Sequence, residues 1–203
     1  MDHNNFLAVV LAGGKSKRFG RDKSQVKLGD KILINYILSE IIDIYNDILI
    51  VANEPIKFLE SDKISLTSDY KKDLGPLGGV FSAMKWVKDN NKKYRWIASF
   101  PSDTPFFNID IFKSFLQKIN EKESELFFMK TKEKRHNIFG LWSLELINIL
   151  EEDIKKNFRK VETWANKIGL ELIEIDAKQD DTFLNINTKD DLEKAENKLK
   201  VIK

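Results

Sequence analysis

Residues 6–23 read FLAVVLAGGKSKRFGRDK, and the change of character in the middle of that stretch decides the fold class. Phe6 to Ala12 is a short, almost uninterrupted apolar run, as a central parallel strand covered on both faces requires. Gly13 and Gly14 break it, giving backbone that can take positive φ and let a ligand approach closely. Lys15, Lys17, Arg18, Arg21 and Lys23 follow, with Asp22 as the single acid among them. A glycine turn that bares peptide N–H groups ahead of dense positive charge suits a polyphosphate. The competing reading is a solvated basic loop. Neither familiar phosphate signature fits. A Walker A loop would need its Gly-Lys pair where Arg18 or Phe19 stands, and Gly13-Gly14-Lys15 does not supply the dinucleotide fingerprint.

Outward from this strand, apolar segments alternate with helical stripes, the pattern of a mostly parallel α/β sheet. Ile34, Ile37, Leu38, Ile41 and Tyr45 mark a helix face, and residues 47–53 and 64–67 read as strands. Val80, Ala83, Met84 and Val87 have helical spacing, and residues 96–100 form another buried strand. The second half differs. After a helix lined by Phe112, Phe115, Leu116 and Ile119, residues 125–130 and 137–142 read as two strands with little helix between them, which predicts an antiparallel element. Ile147, Leu150 and Ile154, then Val161, Trp164, Ala165 and Ile168, mark two further helices. Residues 170–175 and 183–184 read as strands, and Thr188 with Asp191 predicts a capping box for the last helix.

The 203 residues predict one domain over 1–203. A net charge of +2 is too small to imply nucleic acid, so positive charge matters by position. The chain has no cysteine. Disulfides, thiolate catalysis and cysteine-held metals are therefore excluded, and a cytoplasmic location is expected. The start lacks the basic region of a signal peptide, and no apolar run reaches membrane-spanning length.

Ligands of open α/β sheets bind beyond the carboxyl ends of the strands. The stretches that follow predicted strands there are Gly13 onward, Asn53, Asp69 onward and Asp103. Asp103, between Pro101 and Pro105, suits Mg²⁺, which takes one or two carboxylates with phosphate oxygens; a turn or N-cap role is the alternative. Asp69 suits a ribose hydroxyl or a base, or serves a turn. The loop from Gly75 to Gly79 could press backbone on a base or sugar ahead of a helix, or be only a tight turn. His136 is a ligand contact or a satisfied structural histidine. Arg159 and Lys160, at a helix start, suit a second anionic substrate or a solvated helix end.

Taken together, these stretches resemble the molybdenum cofactor guanylyltransferases, within the MobA-like nucleotidyltransferases. Residues 11–23 fit the family's opening LAGGxSxRFGxDK form, and later elements match at Gly75 to Gly79, Pro101 to Phe106 and Asn185 to Leu192. The resemblance implies a three-layer, Rossmann-like nucleotidyltransferase fold and a Mg²⁺-dependent enzyme that joins GMP from GTP to molybdopterin and releases pyrophosphate. It implies that Leu11, Ala12, Gly13 and Gly14 contact the nucleotide, with Asn53, Asp69, Gly75 and Gly79 around it. Arg18 and Lys23 would meet its phosphates and Asp103 would ligate Mg²⁺. His136, Arg159, Lys160 and Asn187 fall to the pterin side, and accessory or cofactor-delivery proteins are implied as partners. Asn137 departs from the family's habit of proline after the histidine. The rival readings are a cytidylyltransferase on the same pterin, another small-molecule nucleotidyltransferase, and a non-catalytic GTP-binding module.

Overall fold

The computed structural model describes residues 5–13, 26–71, 74–119, 122–176 and 181–202. The apolar run after residue 5 is strand β1 (Phe6–Leu11), buried along nearly its whole length. It is an interior strand of a seven-stranded sheet. Its parallel neighbours are β4 (Ile48–Val51) and β6 (Trp96–Pro101), and β5 (Ile64–Thr67) pairs in parallel outside β4. On the other flank β8 (Arg135–Ser143) runs antiparallel to both β6 and β7 (Leu126–Lys130), and β9 (Glu171–Glu174) closes that edge parallel to β7. The order is β5-β4-β1-β6-β8-β7-β9. β8 is the predicted antiparallel element. A short hairpin, β2 (Lys27–Leu28) with β3 (Lys31–Ile32), was not legible in the apolar pattern.

Strand side chains alternate, so each strand feeds two cores. Phe6, Ala8 and Val10 face a core built with α1 (Leu33–Ile41) and α3 (Ile109–Ile119). Leu7 and Val9 face the opposite one, built with α2 (Gly75–Asp89), α4 (Ile147–Lys155) and α5 (Val161–Ile168). The result is three layers, helix on sheet on helix. The predicted stripe Phe112, Phe115, Leu116 and Ile119 is the buried face of α3. Tyr45 is buried as predicted but lies beyond the end of α1, its N–H bonded to the Ile41 carbonyl at 3.1 Å. A third cluster packs α6 (Lys189–Ile202) on the hairpin through Leu28, Leu33, Ile186 and Ala195.

Two expectations are corrected. Gly75 to Gly79 is the first turn of α2 rather than a loop before it. Gly75 turns the chain inward at φ 63°, and Pro76 tolerates the first turn because its missing N–H would have no helical partner there. Residues 183–184 are not a strand. The Leu184 N–H closes a turn on the Asp181 carbonyl at 2.9 Å, and Phe183 is used in side-chain packing against Phe107, Phe139 and His136. The capping box holds: Asp191 Oδ2 accepts from the Thr188 N–H at 2.9 Å, and Thr188 Oγ1 accepts from the Asp191 N–H at 3.1 Å.

Candidate nucleotide-transfer site

Because β5, β4, β1 and β6 are parallel, their carboxyl ends open on one rim, and the predicted stretches meet there. β1 runs out at Ala12 and Gly13, with the Ala12 N–H bonded to the Val51 carbonyl at 2.9 Å. Asn53, after β4, and Asp69, after β5, face each other. Asn53 Nδ2 donates to Asp69 Oδ2 at 2.6 Å, and the Asp69 N–H donates to Asn53 Oδ1 at 3.1 Å. Glycines bracket the carboxylate. A Cβ at Gly13 would stand 3.7 Å from Oδ2, and one at Gly79 would stand 3.7 Å from Oδ1 and 2.9 Å from Leu11 Cδ2. Burial raises the Asp69 carboxyl above its usual range, and the Asn53 hydrogen bond partly opposes the shift.

Across β1, the chain leaving β6 turns through Ser102 and Asp103. The Ser102 N–H bonds the Leu11 carbonyl at 3.2 Å, and Thr104 Oγ1 donates back to the Pro101 carbonyl at 3.3 Å. Asp103 lines a cleft of about 200 Å³ that it shares with Leu11, Ala12, Gly13, Pro76 and Ile138. Asn185 also lines that cleft, and the neighbouring Ile186 N–H bonds the Asp103 carbonyl at 2.9 Å. Asn185 was missed as a site residue. Its signal lay in alternation, since Asn185 and Asn187 flank a buried Ile186.

A family model described as MobA-like NTP transferase domain matches residues 8–167. The chain belongs to that family. It is 28% identical to a molybdenum cofactor guanylyltransferase from Nitrobacter hamburgensis, over 93% of this chain and 91% of the relative. It is also 28% identical to one from Rhizobium johnstonii, over 100% of this chain and 97% of the other. A solved structure from Aquifex aeolicus superposes with a TM-score of 0.71 at 26% identity, over 90% of this chain and 94% of that one. Molybdopterin-guanine dinucleotide biosynthesis protein A from Archaeoglobus fulgidus shares the fold at TM-score 0.76 and 19% identity, over 96% and 99% of the two chains.

In this MobA-like NTP transferase the remaining candidates are placed unevenly. Gly14, Arg18 and Lys23 lie outside the described residues. His136 stands at the rim end of β8, its ring stacked on Phe183 with centroids 3.8 Å apart and its Nε2 3.4 Å from Thr131 Oγ1. Burial, with Lys134 adding repulsion, pushes it down to about 4, so the ring is neutral near pH 7. Arg159 lies beside the first turn of α2, its carbonyl 3.5 Å from where a Gly75 Cβ would be. Its guanidinium folds away onto the carbonyls of Ile154 and Phe158 and onto Asn157 Oδ1, capping α4. Lys160 is the exposed N-cap residue of α5. Asn187 is exposed, its N–H given to Asp191 Oδ2 at 3.0 Å.

β8 carries a further feature with no mark in the sequence. Its register against β7 jumps: Gly140 faces Phe128, yet the next pair toward the rim is His136 with Met129. Residues 137–139 bulge out between them, which is how Ile138 reaches the cleft. Asn137, the departure from the family habit, falls in this bulge, with its Oδ1 buried and unpartnered.

Proposed function

We propose that the chain transfers GMP from GTP to the terminal phosphate of molybdopterin, releasing pyrophosphate and forming the guanine dinucleotide of the cofactor. The observation that carries this is the meeting on one rim of Gly13, the Asn53–Asp69 pair and Asp103. Family membership and the names of its relatives support the same reading. The match to the family runs over residues 8–167 of the chain, and 1–203 are read as one domain.

The chemistry needs no catalytic thiol or strong base. The acceptor phosphate is already an anion. One of its oxygens forms a bond to the α-phosphorus of GTP, the bond from that phosphorus to the bridging oxygen breaks, and its electron pair leaves with pyrophosphate. The barrier lies in bringing anions together, which is met by positioning and electrostatic stabilisation. In this reading Leu11, Ala12 and Gly13 seat the nucleotide, and the Asn53–Asp69 pair holds the guanosine. The first turn of α2, from Gly75 to Gly79, offers backbone N–H groups to it. Arg18 and Lys23 supply positive charge to the phosphates.

A divalent ion fits the donors present. Asp103 offers a hard carboxylate beside a cleft open to phosphate oxygens, the sparse protein ligation that suits Mg²⁺. When bound, such an ion withdraws charge from the phosphate oxygens it contacts. Incubation with Mg²⁺, molybdopterin and GTP, CTP or ATP in turn tests the proposal. Pyrophosphate release is expected with GTP. Release with CTP alone makes the chain a cytidylyltransferase, and GTP binding without release for any acceptor makes it a binding module.

A further inference from the structure

Several buried hydroxyls have no part in the mechanism above, and one of them, that of Ser99, reaches the strand beside the cleft. Ser99 is completely buried on β6, the strand that delivers Asp103 to the rim. Its Oγ donates to the carbonyl of Ile138, in the bulge, and accepts from the indole N–H of Trp142 at 2.7 Å. A hydroxyl has one proton to give and lone pairs to receive, so Ser99 satisfies a donor and an acceptor on the same neighbouring strand. The bulge has otherwise left the ladder at residues 137–139. An unpaired peptide carbonyl there would gain by turning toward water. Ser99 ties it inward and so sets where Ile138 stands in the cleft.

The sheet order says which substrate this wall meets. The nucleotide contacts proposed above follow β1, β4 and β5, all on one side of β6. Asp103 follows β6 itself, and Ile138 belongs to β8 on the far side. The half of the rim beyond Asp103 is left for the acceptor.

We propose that Ser99 is a positioning residue for the second substrate: by clamping the Ile138 carbonyl it fixes the bulge as the acceptor-side wall of the cleft. This rests on the acceptor reading given above. Trp142 supplies the control. Its ring stacks on Trp164 in the core, centroids 6.0 Å apart, and its indole N–H donates to Ser99. Trp142→Phe removes core packing and that donor but leaves the Ser99–Ile138 bond.

The test compares wild type, Ser99→Ala and Trp142→Phe in the full chain. Four quantities are read: KM for molybdopterin, Kd for GTP, stability in urea, and hydrogen exchange of the amides of residues 137–139. Ser99→Ala should raise the acceptor KM by about tenfold, leave the GTP Kd within about twofold and speed exchange in the bulge about tenfold, as loss of one buried hydrogen bond implies. Trp142→Phe should lower stability while leaving the acceptor KM and the bulge exchange near wild type. Equal shifts for both substrates, or a Trp142→Phe enzyme that reproduces Ser99→Ala, would overturn the proposal. If wild type transfers nothing to molybdopterin, the acceptor reading fails by itself. The clamp is then decided by exchange, faster at 137–139 in Ser99→Ala if it holds and unchanged if it does not. Should Ser99→Ala not fold, Ser99→Cys, with its weak S–H donor, is read the same way.

Discussion

Asn53 and Asp69 exchange two hydrogen bonds across the ends of adjacent strands, side chain to side chain at 2.6 Å and backbone to side chain at 3.1 Å. Each residue alone is a polar strand end of the kind found on any α/β rim. As a pair they fix one carboxylate between two glycines, with its orientation set before a ligand arrives.

That relationship makes Asn53→Ala informative. Asp69 would keep its burial and lose the hydrogen bond that opposes the rise in its pKa, so its carboxyl should titrate higher still. We expect the KM for GTP to rise about tenfold, in line with one hydrogen bond to a charged group, with kcat little changed. Steady-state kinetics in GTP check this. An unchanged KM would place the pair outside the nucleotide site.

Asp103 should behave in the opposite way. It is read as a ligand for the ion and the charge it carries, so Asp103→Asn should lose kcat by roughly 10²–10³-fold while GTP binding stays within a few-fold. Chelating the divalent ion from wild type should have the same effect, and isothermal titration with GTP separates binding from turnover. Lys23→Ala is expected to depress turnover in parallel. Wild-type rates in either variant would remove that residue from the chemistry.

His136 predicts a dependence on pH. The unfolded chain takes up a proton as pH falls through about 6.5, whereas the folded ring, held neutral by burial against Phe183, resists until about 4. The unfolded state therefore binds more protons in that window, and stability should fall as pH drops from 6.5 to 4. The ring is only partly buried, so we expect about 1 kcal/mol, well below the full linkage value. His136→Phe should flatten this part of the curve in urea melts taken between pH 7 and 4. An equally steep curve in the variant would assign the loss to carboxylates.

The residues also show where sequence reading reaches its end. The strand from Phe6, the stripe on α3 and the Thr188–Asp191 cap were legible because each depends on neighbours within a few positions. The shared rim was legible because parallel strands place their carboxyl ends together whatever the details. What could not be read depends on pairing across the chain. Ser99 looks like any small residue in a buried strand until Ile138 and Trp142 lie beside it. The bulge arises from a register mismatch that no local pattern encodes. Residues 183–184 are apolar like a strand, yet Phe183 packs on Phe107, Phe139 and His136 while Leu184 packs on the cluster around Leu28 and Ile186. Arg159 was read as meeting an anion or as part of a solvated helix end, and its hydrogen bond to the Ile154 carbonyl at the end of α4 has no local signal.

Gly140 closes the bulge on the core side. A Cβ there would lie 2.2 Å from the Phe127 carbonyl oxygen and 2.4 Å from Phe128 Cδ1. The backbone oxygen belongs to the paired strand and cannot move without opening β7 from β8. Gly140→Ala should therefore cost about 3 kcal/mol or more, at the upper end of overpacking in a buried core. Equilibrium denaturation measures it. A loss below about 1 kcal/mol would mean the two strands separate more easily than their register implies.

Asp191 gives the last prediction, because its cap holds more than a helix. Its Oδ2 accepts the N–H groups of both Asn187 and Thr188, and these bonds hold its pKa below the usual carboxylate range. The segment so fixed also gives the Ile186 N–H to the Asp103 carbonyl and sets Asn185 in the cleft. Asp191→Ala should cost about 1 kcal/mol, the usual worth of such a cap. That contribution is present above the unfolded carboxyl value and is lost as pH falls through the lower folded one, so the variant and wild type should converge in acid. If the segment positions Asn185 beside Asp103, the same substitution should also lower kcat by several-fold at neutral pH, which Thr131→Ala, beside His136, should not. A variant that loses stability but keeps full kcat would confine Asp191 to its helix.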